Sequence, residues 1–153
     1  MKISRLMTND VQCCEATSTL EDAARLMWDN DIGAVPVVDG GGQVIGIVTD
    51  RDVCMAAYTQ GRALREIPLI VAMSNHVVTC RPDEDTDQIV QRMAENQIRR
   101  VPVVDDAQRP IGMVSLNDLA LAVEDGREVS AEEIASTLAS ICAHRPAMPA
   151  ALL

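Results

Sequence analysis

The heptapeptide Gly46-Ile47-Val48-Thr49-Asp50-Arg51-Asp52 is echoed 66 residues on by Gly112-Met113-Val114-Ser115-Leu116-Asn117-Asp118. The same displacement lays Val35-Pro36-Val37-Val38-Asp39 on Val101-Pro102-Val103-Val104-Asp105, and carries Met7, Asn9 and Val11 to Met73, Asn75 and Val77. It also takes Cys14 to Cys80, Met27 to Met93 and Asn30 to Asn96 without a gap. A shift that holds across so many separate segments marks two copies of one structural unit. A unit of about 60 residues buries only about 60% of its unfolded surface, whereas about 150 residues bury nearer 70%. The 153 residues are therefore expected to pack the copies on each other.

Each copy reads as strand, helix, strand, strand, helix, an α/β (α+β) unit. Ser18-Thr19-Leu20-Glu21 has the form of a capping box opening a helix to about Asn30, with Leu20, Ala23, Ala24, Met27 and Trp28 as its apolar face. Val35–Val38 and Val44–Val48 are short β-branched runs around the turn Asp39-Gly40-Gly41-Gly42, and a helix follows Thr49 to about Tyr58. Pro36 is expected at the start of its strand or on an edge. The second copy predicts a helix over Thr86–Asn96, strands at Val101–Val104 and Ile111–Val114, and a helix after Ser115. The expected division is 2–60 for the first repeat, 61–75 for a packed connector and 68–124 for the second repeat. An extra helix over 128–142 opens at Ser130-Ala131-Glu132-Glu133, and Pro146 and Pro149 predict a disordered tail over 143–153.

Composition narrows the function classes. There is no Phe, one Trp and one Tyr, so the core must be Val, Ile, Leu, Met and Ala. The net charge of −10 repels nucleic acid and anionic membranes, and neither is expected as a partner. No apolar stretch approaches the roughly 18 residues of a transmembrane helix, and Met1-Lys2-Ile3-Ser4-Arg5 lacks the apolar core of a secretory signal. Five cysteines without a Cys-x-x-Cys pair favour a reducing interior, and the cytoplasm is the expected location.

Catalysis has little support. His76 and His144 are the only histidines, no nucleophile–base pair is visible, and there is no Gly-x-x-x-x-Gly-Lys phosphate loop. The expectation is a non-enzyme with no catalytic residue. Neither His76 with Cys80 nor Cys142 with His144 completes a set of four metal ligands, so no metal is expected. Cys13, Cys14, Cys54 and Cys80 lie among apolar neighbours and read as buried, inert thiols, with a redox role for Cys13-Cys14 as the alternative.

The repeated Thr49-x-x-Asp52 and Ser115-x-x-Asp118 have two readings. As plain structure they are helix starts: the hydroxyl satisfies a free backbone N–H, and Asp favours the positive end of the helix dipole. As a site, the helix mouth offers N–H groups to an anion, and the Asp can accept two hydrogen bonds from a vicinal diol such as ribose. Gly46 and Gly112 would allow close backbone approach, and aliphatic side chains around Val11, Val77, Val78, Ile32 and Ile98 would sandwich a flat base. Diol, anion and base together describe a nucleotide or nucleoside.

The pattern Asp31-Ile32-Gly33-Ala34-Val35-Pro36-Val37-Val38-Asp39 with Gly46 to Asp52, and its copy Asn96-Gln97-Ile98-Arg99-Arg100-Val101-Pro102-Val103-Val104-Asp105 with Gly112 to Asp118, resembles the CBS domain, named after cystathionine beta-synthase. The resemblance covers about Lys2 to Val123. It implies a tandem pair, the Bateman module, with a pseudo-twofold axis, two clefts between the copies and assembly into disc-like dimers. Such modules bind AMP, ADP or ATP, and sometimes S-adenosylmethionine or NAD. By this resemblance the ribose-binding carboxylates fall on Asp52 and Asp118, and the hydroxyls beside them on Thr49 and Ser115, with Asn117 within the second motif. The base-cradling positions fall near Val11–Gln12 and Val77–Val78, and the loop before the Val-Pro strand adds Gly33-Ala34 with Ile98-Arg99-Arg100.

The copies differ where Arg99-Arg100 stands against Gly33-Ala34. Guanidinium groups are good phosphate partners, so one cleft is expected to hold a phosphorylated ligand tightly while the other binds weakly or stays empty. The plain alternative makes these arginines a solvated pair or partners for Asp105 and Asp106. The resulting expectation is a regulatory module that senses an adenine nucleotide or related adenosyl ligand, needs no cofactor, forms a homodimer and signals through an effector protein. Its competitors are a ligand-free dimerising adaptor and a thiol-based stress sensor.

Overall fold

The computed structural model describes residues 1–144. Most of the expected tail over 143–153 lies outside the described residues.

The first repeat contains strand β2 (Cys14–Glu15), helix α1 (Leu20–Asp29), strands β3 (Ala34–Val38) and β4 (Val44–Thr49), and helix α2 (Asp50–Gln60). A two-residue strand β1 (Thr8–Asn9) precedes it. The second repeat has helix α3 (Thr86–Asn96), strands β5 (Arg100–Val104) and β6 (Pro110–Ser115), and helix α4 (Leu116–Glu124); helix α5 (Ala131–Cys142) follows. The start of α1 lies one residue later than expected, and Trp28, expected on its apolar face, is exposed, because Leu20, Ala23 and Met27 carry the buried side of the helix. Thr19, not Ser18, is the cap, and Asp22 closes the box by accepting from the Thr19 N–H at 2.9 Å.

The two sheets run β2-β3-β4 and β1-β6-β5. Pro36 therefore sits inside a central strand, contrary to expectation. The reason is local. Pro36 pairs with Ile47, whose own N–H and C=O bond to Ser74 on the far side of β4. The missing proline N–H thus points away from β4, toward β2, which pairs only with Val37 and Val38. No ladder bond is lost.

The duplication does not show that the opening segments are exchanged. Ile3 is fully buried in the core of the second repeat, with Ile89, Met93, Val101, Val103, Val114 and Leu119. Its counterpart in the other half, Leu69, is buried with its neighbour Ile67 in the core of the first, among Leu20, Val35, Val37 and Val48. β1 pairs antiparallel with β6, and Ser74 bridges Ile47 of β4 in the same way. Each such fully buried aliphatic side chain contributes about 1.5–3 kcal/mol, so the exchange ties the halves into one body. It also explains Gly46 and Gly112. Their bareness admits the crossing segments, with Met73 and Ser74 against Gly46 and Met7 and Thr8 against Gly112, rather than a ligand as the sequence suggests.

Candidate functional site

Both readings of the repeated Thr/Ser-x-x-Asp hold at once. Thr49 caps α2: its N–H and hydroxyl donate to Asp52 Oδ2 at 2.8 and 2.7 Å, and the Asp52 N–H donates back to Thr49 Oγ1 at 3.2 Å. Ser115 and Asp118 repeat this at 2.7, 2.6 and 3.2 Å. Each box consumes one carboxylate oxygen. Oδ1 of Asp52 and of Asp118 makes no hydrogen bond among the described residues, and both side chains are half-buried.

Each of these helix mouths opens on a cleft whose far wall is the other repeat. In the first cleft, about 340 Å³, Thr49 and Asp52 face Val77, Val78, Ile98 and Arg99. In the second, about 390 Å³, Ser115, Asn117 and Asp118 face Val11, Gln12, Ile32 and Gly33. Ala34 and Arg100 border both. Every residue that the family resemblance assigned to ligand binding thus lies on one of two cavities, whereas Gly46 and Gly112 line neither. The exchange of opening segments sets the pairing, because residues 76–78 follow the segment that crosses to β4, and residues 10–12 follow β1.

Among the cleft residues that sequence reasoning missed are Asp50, Arg51, His76 and Gln97 in the first, and Asp10 and Asp31 in the second. The 66-residue shift pairs His76 with Asp10, Gln97 with Asp31 and Arg51 with Asn117, so the signal was present once the helix mouths were known. Arg99 and Arg100 also divide differently from expectation, one serving a single cleft and the other both. Neither binds Asp105 or Asp106. Those residues are held by Arg81, which donates to the Asp105 carbonyl at 2.8 Å and pairs with the Asp106 carboxylate. Among the described residues no ion pair involves Arg51, Arg99 or Arg100, so all three guanidinium groups remain available at the first cleft. Asp39 and Asp105 do turn chemistry, each Oδ1 accepting two backbone N–H bonds at 2.9 Å.

His76 and Cys80 do not come together as metal ligands. His76 is exposed at the cleft while Cys80 is buried in the core, and no group of three potential ligands occurs among the described residues. Burial pushes the Cys13 and Cys14 thiols up to about 11 and Cys80 up to about 12, which suppresses the thiolate. Cys54 departs from its expected burial and is exposed, as is Cys142. Alkylation with iodoacetamide near pH 7.5 should therefore label Cys54 and Cys142 first, with Cys14 and Cys80 reacting only on unfolding. Peptide mapping in which Cys13 or Cys14 reacts as fast as Cys54 would restore the redox reading.

No helix among the described residues is long and apolar enough to cross a membrane. The family model described as CBS domain matches twice, over residues 3–58 and 64–125. The CBS domain-containing protein YhcV of Bacillus subtilis is 36% identical over 135 residues, covering 88% of this chain and 91% of that protein. A homoserine O-acetyltransferase of Methanohalobium evestigatum is 30% identical over 123 residues, 80% of this chain, but the match spans only 24% of that enzyme. Among solved structures, the CBS domain pair of protein MJ0100, in complex with 5′-methylthioadenosine and S-adenosyl-L-methionine, superposes with a TM-score of 0.72 at 26% identity, covering 80% of this chain and 99% of that one. Two family matches spanning most of the described residues, on a fold of two interlocked and equivalent halves, lead to one conclusion: the chain belongs to the CBS domain family as a tandem pair.

Proposed function

We propose that the chain is a non-catalytic regulatory module that senses an adenine nucleotide bound between its repeats. The observation that carries the reading is the divided use of each carboxylate. One oxygen of Asp52 or Asp118 fixes the helix mouth, and the other is left on the cleft wall, where a ribose diol can donate to it. Val77, Val78 and Ile98 supply an apolar slot for the base opposite Asp52, and the arginines supply charge for phosphate. The adenosyl ligands of the MJ0100 pair support the same class of occupant, and S-adenosylmethionine and NAD remain the alternatives to AMP, ADP or ATP.

A ligand in either cleft touches both repeats, so it stabilises one arrangement of the halves over others. Free ligand at about 100 times its dissociation constant contributes about 2.7 kcal/mol to the state that binds it. That bias would be read by an effector protein, in the cytoplasm. The homodimer is assigned to the helical face of the first repeat. Trp28 and Tyr58, the only aromatic side chains, are 87% and 82% exposed there, whereas α5 packs against α3 and α4, the equivalent face of the second repeat. Aromatic residues are enriched at such contacts.

Thermal unfolding in the presence of AMP, ADP, ATP, NAD and S-adenosylmethionine tests the reading. At least one should raise the midpoint by several degrees in a dose-dependent way. No shift with any of them would leave the ligand-free adaptor in its place.

A further inference from the structure

The repeats are equivalent in fold, but the clefts are opposite in charge. In the first, Arg51, Arg99 and Arg100 stand against Asp50 and Asp52, formally +1. In the second, Arg100 alone stands against Asp10, Asp31 and Asp118, formally −2. The difference is systematic. At the positions related by the 66-residue shift, Arg51 becomes Asn117, Arg99 becomes Gly33, His76 becomes Asp10 and Gln97 becomes Asp31. Each change makes the second cleft more negative; Asp50, replaced by Leu116, is the one change in the other direction.

Arg100 is the element the clefts share. Its guanidinium lies over Gly33: a Cβ built there would be 2.8 Å from Arg100 Nη2. Glycine at 33 makes room for that group at the junction of the two cavities. Charge confined in a cleft with low-dielectric walls selects ligands by sign, and a single cation cannot serve two anions equally.

We propose that the clefts take different classes of adenosyl ligand: a phosphorylated nucleotide in the Asp52 cleft, and an adenosyl compound without phosphate, neutral or cationic, in the Asp118 cleft. Arg100 couples them. An anion in the first cleft draws the guanidinium to its side and leaves the second more acidic, so occupancy by a phosphate ligand favours a cationic neighbour, leaves a neutral one almost unaffected and disfavours a second anion. Linkage makes the effect reciprocal. This inference rests on the nucleotide reading above.

The test is calorimetric titration of the full chain with AMP and with 5′-methylthioadenosine, alone and with the other compound saturating. One AMP per chain is expected, lost in Arg99→Ala and kept in Asp31→Asn. One 5′-methylthioadenosine should still bind with AMP saturating, at little-changed affinity, whereas the cationic S-adenosylmethionine, titrated in the same way, should bind more tightly, by about fivefold or more. Arg100→Ala should abolish that gain. The double variant Asn117→Arg with Asp31→Asn should admit a second AMP, its melting curve confirming that it folds. Two equal AMP sites in the native protein, or competition of both compounds for one site, would overturn the division by charge while leaving the nucleotide reading standing. Binding of neither compound, nor of any other adenosyl ligand, would remove both.

Discussion

Gly112→Ala is expected to destabilise the protein by about 2 kcal/mol, within the range of about 1–3 kcal/mol for inserting a methyl into a filled space. A Cβ at this position would sit 2.8 Å from the carbonyl oxygen of Thr8 and 3.0 Å from Met7 Sδ. The carbonyl is backbone, and it belongs to the strand that pairs Thr8 with Met113 and Asn9 with Gly112. It cannot rotate away, so β1 must lift from β6. That withdraws Ile3 from the core it fills. Gly46→Ala should be milder, because its nearest obstacle, Met73 Sδ at 2.5 Å, ends a flexible side chain, and the backbone oxygen of Ser74 is farther off at 3.2 Å. In a chain of this size about 2 kcal/mol lowers the melting temperature by about 4–8 °C. Hydrogen exchange should show the loss concentrated at Thr8 and Asn9. A Gly112→Ala protein as stable as the native one, or a Gly46→Ala protein that is clearly worse, would refute this account of the two glycines.

The contrast between these glycines and the capping boxes shows what the sequence could reveal. Thr49, Asp52, Ser115 and Asp118 act within four residues of one another, so their local role was visible from spacing and chemistry alone. The duplication was equally legible, because equivalent segments repeat the same apolar and turn residues. The partner of each segment was not. A pattern with Ile3 and Leu69 at equivalent places is satisfied whether each packs on its own half or on the other, since the two cores are nearly identical in composition. Once the segments cross, the Asp52 mouth must face Val77 and Val78, and Asp118 must face Val11 and Gln12. The same long-range fact explains why Gly46 and Gly112 looked like ligand contacts, why Pro36 looked like an edge residue, and why Arg100 could not be assigned to two cavities. Cys54 failed differently. It lies within an apolar stretch of α2, but on the exposed side of that helix.

The carboxylates of Asp52 and Asp118 can be tested for their two duties separately. Asn at either position keeps an oxygen that can accept from the Thr49 or Ser115 N–H, so the helix cap survives and stability should change by less than about 1 kcal/mol. It loses the second carboxylate oxygen and the charge, and with them the acceptor offered to a ribose diol. A hydrogen bond to a charged group contributes about 1.5–3 kcal/mol, so Asp52→Asn should weaken nucleotide binding in its cleft by about 10- to 100-fold with little change in melting temperature. Ala at the same position removes both duties and should show the affinity loss together with about 1 kcal/mol of lost stability. The loss should stay within one cleft, because Asp52 and Asp118 line different cavities. Titration of Asp52→Asn with AMP and of Asp118→Asn with 5′-methylthioadenosine, each beside its melting curve, reads the two effects independently. If Asp52→Asn bound AMP as well as the native protein while Asp52→Ala merely unfolded more easily, the carboxylate would be a helix cap and nothing more.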